Sequence, residues 1–89
     1  MIQKRFHFTG DVQGVGFRYT ACRIAGGFDI TGYVKNVSDG SVECVAEGTA
    51  EEIDSFIERL QQTMSGYIRQ TTQEQSPATG RWNSFGVGY

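Results

Sequence analysis

Apolar and polar residues alternate from Ile2 to Thr9, with Ile2, Phe6 and Phe8 on one side and Gln3, Arg5, His7 and Thr9 on the other. That period of two predicts a strand over 2–9, with His7 on its solvated face. From Phe17 the period lengthens: Phe17, Ala21, Ile24, Ala25 and Phe28 fall at helical spacing on one face. The pair Gly26-Gly27 ends this helix, since each glycine would cost about 1 kcal/mol inside it. Residues 32–36 read as a second strand. Val37-Ser38-Asp39-Gly40 is a hairpin turn, its Asp-Gly pair supplying the residues that turns demand. A third strand over 41–47 sets Val42, Cys44 and Ala46 against Ser41, Glu43, Val45 and Glu47.

Thr49 followed by Glu52 is a capping box that opens a second helix. Ile53, Phe56, Ile57, Leu60 and Met64 then form one continuous apolar stripe, which belongs to the core, and Gly66 is a suitable stop. Residues 67–75 are too polar for the centre of a sheet and fit its edge. A loop over 76–80 and a short closing strand over 85–89 complete the chain. The order β-α-β-β-α-β uses a strand-helix-strand half twice. It predicts an α+β, ferredoxin-like α/β sandwich, an antiparallel sheet with two helices on one face. No internal repeat or boundary divides it, so residues 1–89 are expected to form a single domain.

Composition narrows the function. The 89 residues carry a net charge of −2, with no run of basic residues, which argues against a nucleic-acid surface. No apolar stretch approaches membrane-spanning length and no signal-peptide pattern is present, so a soluble, cytoplasmic protein is expected. Once the core is assigned, no long apolar surface stripe remains, which favours a monomer. Cys22 and Cys44 make neither a disulfide framework nor a metal set and are expected to be reduced and packed. With His7 as the only histidine, neither a histidine-dependent triad nor a histidine-rich metal site is expected.

The candidate chemistry lies in Gly10-Asp11-Val12-Gln13-Gly14-Val15-Gly16-Phe17-Arg18, between the first strand and the first helix. A glycine bend feeding a helix start gathers unpaired N–H groups and a partial positive charge, which together suit an anion. Arg18 adds a planar, permanently charged fork matched to phosphate oxygens. A second stretch follows, Gly32-Tyr33-Val34-Lys35-Asn36-Val37-Ser38-Asp39-Gly40-Ser41-Val42, with Gly48 beyond.

Taken together, the two stretches resemble the acylphosphatase family in type, order and spacing, and the resemblance runs to the final Phe85-Gly86-Val87-Gly88-Tyr89. It implies an enzyme that hydrolyses the carboxyl–phosphate bond of small acyl phosphates to carboxylate and inorganic phosphate, without metal or organic cofactor. By motif position, Arg18 would bind the phosphate and Asn36 would hold the attacking water. The backbone of Gln13, Gly14, Val15, Gly16, Phe17 and Arg18 would form the phosphate cradle.

Elementary chemistry agrees with these roles. A carboxylate is a good leaving group, so the demanding tasks are gathering phosphoryl charge and placing water in line. A carboxamide both donates and accepts, so Asn36 can orient a water but cannot act as a useful base. Gln13 is expected only to brace the loop through its side chain. Lys35 falls on the strand face opposite Asn36. Asp11 would repel a phosphate from inside the cradle and is expected to point outward. A cradle that grips phosphate alone would tolerate many acyl groups. The alternative is a ferredoxin-like module that binds RNA or senses a phosphate ligand without catalysis, since this strand order also serves RNA-recognition domains.

Overall fold

In the computed structural model of the chain, residues 1–88 are described. The first strand, β1, spans Ile2–Gly10 and is followed by the glycine bend and helix α1, Phe17–Ala25. A hairpin of β2 (Thr31–Asn36) and β3 (Val42–Gly48) leads to helix α2, Ala50–Thr63. Strands β4 (Ile68–Pro77) and β5 (Phe85–Val87) follow. The sheet order is β4-β1-β3-β2-β5. Every pairing is antiparallel except β2 with β5, which is parallel and makes the five-stranded sheet a mixed one.

The ferredoxin-like plan is therefore present, with one strand added at an edge. Phe6 and Phe8 of β1, Val34 of β2 and Val42, Cys44 and Ala46 of β3 share one core with Phe17, Ala21 and Ala25 of α1. Ile53, Phe56, Ile57 and Leu60 of α2 complete it. The helix stripes read from the sequence are the buried ones. Thr49 caps α2, accepting from the Glu52 amide at 3.2 Å.

Three predicted features need correction. Strand β4 does not stop at residue 75 but runs on to Pro77, which pairs opposite Ile2. Proline lacks a donor, yet at a sheet edge that missing N–H disrupts no ladder. The closing strand ends at Val87 rather than 89, and Tyr89 lies outside the described residues. The sheet face turned away from the helices is also drier than alternation suggested. Val45 and Glu47 are buried there, and His7 is half-buried with Nε2 2.5 Å from Ser41 Oγ. The cause is the segment between β4 and β5. It brings Thr79 and Gly80 onto Glu47 and sets Trp82 edge-on against Tyr33, with ring centroids 5.5 Å apart.

Candidate active site

The glycine bend is clamped at both ends. Phe8, near the end of β1, and Phe17, the first residue of α1, pack ring against ring with centroids 5.1 Å apart in the core. Between them Gly10 leaves β1 at positive φ (126°), and the bend itself then needs left-handed backbone twice, at Gly14 (φ 78°) and Gly16 (φ 75°); a Cβ would be strained at all three. Val15 between them has ordinary negative φ and rests partly buried against the core. This alternation of backbone hand is the geometry that turns successive amides toward one concavity.

The amides of residues 13–19 donate to no acceptor among the described residues. The first bond of the helix is Thr20 N–H to Gly16 O at 3.0 Å. Gly16 is the N-cap of α1 and supplies no side-chain cap, and the first turn contains no acidic residue. The helix thus opens with bare donors and its full partial positive charge.

Arg18, in that first turn, makes no ion pair with a carboxylate among the described residues. Asp11 is exposed and lies on a different depression, beside Tyr67 and Arg69, with its own N–H bonded to Tyr67 O at 2.9 Å. It points outward, as expected. Lys35 is turned to the far face, 3.8 Å from Glu43 and over the Tyr33 ring. Arg18 accordingly has no charged neighbour of this set in the cleft.

Asn36 ends β2, and its carboxamide makes no hydrogen bond within the described residues. It lines the same open cleft as Arg18, a space of about 410 Å³ whose wall also includes Gly14, Gly16 and Phe17. Of the residues expected in the cradle, Gln13 and Val15 do not line the cleft with the others. Val15 packs inward. Gln13 sends its side chain to the β2–β3 turn, where Nε2 donates to Val37 O at 2.7 Å and to Ser41 O at 2.8 Å. That is the bracing expected of it.

Four further lining residues, Val12, Tyr19, Cys22 and Val87, were not anticipated. Cys22 follows Arg18 by one helical turn, so helix periodicity alone could have found it. Both cysteines are free, and burial pushes the Cys22 thiol up, leaving a neutral wall at pH 7. Among the described residues no group of three or more His, Cys, Asp or Glu gathers to hold a metal. No helix of the described residues is long and apolar enough to cross a membrane.

A family model described as Acylphosphatase matches residues 4–87. The chain belongs to the acylphosphatase family. A relative named Acylphosphatase from Paenarthrobacter aurescens is 42% identical over 80 residues, covering 89% of this chain and 85% of its own. The crystal structure of acylphosphatase from Bacillus subtilis superposes with a TM-score of 0.89 at 32% identity, and both chains are covered in full. An acylphosphatase from Coxiella burnetii follows at a TM-score of 0.81 and 28% identity, covering 97% of this chain and 90% of its own. Membership makes the chain an acylphosphatase-type hydrolase, an enzyme acting on the bond between an acyl carboxylate and phosphate. The noncatalytic binding module is not favoured.

Proposed function

We propose that the reaction takes place in the cleft between the glycine bend and the end of β2, by direct attack of water on phosphorus. The unengaged amides of Gln13, Gly14, Val15, Gly16, Phe17 and Arg18 and the Arg18 guanidinium hold the phosphoryl oxygens, while the Gln13 and Val15 side chains turn away from the cleft. Fixed dipoles and one fixed charge meet the developing negative charge without reorganising. Asn36 accepts a hydrogen bond from the water and aims its lone pair. The water oxygen bonds to phosphorus, the bond from phosphorus to the acyl oxygen breaks, and the carboxylate leaves with that electron pair. The water's proton ends on the phosphate product or in solvent. No covalent phosphoenzyme and no metal or organic cofactor takes part.

The observation that carries this reading is the run of amides without acceptors that includes Arg18, in a cleft also lined by an equally unengaged Asn36. We further propose that the chain works as a monomer in the cytoplasm, with residues 1–89 acting as one domain. The modest net charge of −2 and the scatter of basic residues support a small-molecule rather than a nucleic-acid partner.

The test is release of inorganic phosphate from benzoyl phosphate by the purified chain, with and without EDTA. Turnover that is indifferent to the chelator is the expected outcome. Turnover abolished by EDTA and restored by a divalent cation would overturn the metal-free mechanism.

A further inference from the structure

The cleft is lined by two chemically different sets of residues. One is polar and made of the glycine bend, Arg18 and Asn36; the other is uncharged and comprises Tyr19, Cys22 and Val87. Among the described residues only four large apolar side chains are left exposed: Met1, Tyr19, Tyr67 and Val87. Two of these stand on this one cleft, Tyr19 with 73% of its surface exposed and Val87 with 37%. They come from distant parts of the chain, the first turn of α1 and strand β5, and frame Cys22 one helical step from Tyr19. Neither pins the core, which closes beneath them with Phe17 and Ala21. An uncharged wall continuous with a charged anion cradle suits a ligand that is phosphate at one end and apolar at the other.

Resting on the proposed catalytic site, we infer that Tyr19, Cys22 and Val87 form an acyl subsite, and that the enzyme selects acyl phosphates with a bulky apolar or aromatic acyl group. The phosphoryl group of any such substrate is held alike by the bend. Only the larger acyl groups reach the Tyr19 ring and the Val87 methyls and remove that surface from water. Tyr19 and Val87 are specificity residues, and the reaction itself does not need them.

The experiment compares kcat/KM for benzoyl phosphate and acetyl phosphate in the parent chain, Tyr19→Ala and Tyr19→Phe. The quantity read is the benzoyl-to-acetyl ratio of each variant divided by that of the parent, which cancels the intrinsic reactivity of the two anhydrides. An apolar contact of this size discriminates on the order of tenfold. The expected result is a fall of about that size in Tyr19→Ala and a ratio kept within about twofold in Tyr19→Phe, with Val87→Ser falling in the same sense as Tyr19→Ala. Equal ratios in the parent, Tyr19→Ala and Val87→Ser overturn the subsite and leave the proposed function standing. A loss in Tyr19→Phe equal to that in Tyr19→Ala also overturns it, since the phenol hydroxyl rather than the ring would then be the determinant. A parent chain that hydrolyses neither substrate overturns the proposed function, and the subsite with it.

Discussion

Gln13 and Val37, one in the glycine bend and the other just past the end of β2, are joined by a side-chain to main-chain hydrogen bond of 2.7 Å. The same Nε2 also donates to Ser41 O at 2.8 Å, so one carboxamide ties the proposed phosphate cradle to the turn that follows Asn36. Gln13→Ala should lower kcat/KM about tenfold or more by loosening the two halves of the cleft, with a stability loss of about 1–2 kcal/mol. Gln13→Glu should be worse, because it puts an acceptor-only carboxylate against two carbonyl oxygens. Steady-state kinetics alongside urea unfolding measures both effects.

Arg18 is only half-buried and pairs with no described carboxylate, so its removal should leave the fold intact. Arg18→Ala should reduce kcat by about 10²-fold or more, the scale on which a lost oxyanion donor is felt. Arg18→Lys should recover little of this, since a point charge does not reproduce a two-pronged fork. Turnover within a few-fold of the parent in Arg18→Ala would remove Arg18 from the mechanism; circular dichroism checks that the variant is folded.

Asn36→Ala should depress kcat far more than it raises KM, because the positioned water matters only in reaching the transition state. Asn36→Asp keeps the shape but sets a carboxylate near the transferring phosphoryl group. Its turnover should be poorer still at pH 7, and should improve as the pH is lowered through the carboxylate range. Both follow from kcat and KM measured between pH 4 and pH 8.

Glu47 is a structural anion on the opposite sheet face, 4% exposed. Burial by itself would raise its pKa. The Thr79 amide, the Gln3 carboxamide, the Thr79 hydroxyl and the Gly80 amide, at 2.8–2.9 Å, outweigh that and hold it below the ordinary carboxylate value. A carboxylate depressed on folding contributes stability that is complete above its unfolded pKa, about 4.3, and is lost as pH falls through the folded value. Urea midpoints should therefore fall below about pH 4. In Glu47→Gln the stability should be lower by about 1–3 kcal/mol at pH 7 and flatter toward acid.

Local signals carried most of the fold. The bounds of α1 and the Thr49 cap were readable because periodicity and capping are encoded within a few residues of where they act. That Arg18 and Asn36 line one cleft was readable only because two separated motifs agreed. What escaped was long-range. Val87 joins the cleft through a parallel pairing of β5 with β2, which no local pattern announces. Pro77 reads as a breaker until its edge position is known. Val45 and Glu47 look half-solvated until the segment after β4 is seen to cover them.

Strand β5 is three residues long, lies at a sheet edge and pairs in parallel, the weaker arrangement per residue. Two main-chain bonds flank it, Gly32 N–H to Ser84 O at 3.1 Å and Gly88 N–H to Val34 O at 2.9 Å, and Phe85 leans on Phe56 with centroids 5.4 Å apart. Yet this seam supplies Val87 to the cleft. Partial unzipping that spares the rest of the sheet would strip the proposed catalytic cleft of one side. Discrimination among substrates should then fade at urea concentrations where far-ultraviolet circular dichroism still reports an intact domain, and the Gly88 amide should exchange with deuterium well before that of Phe6.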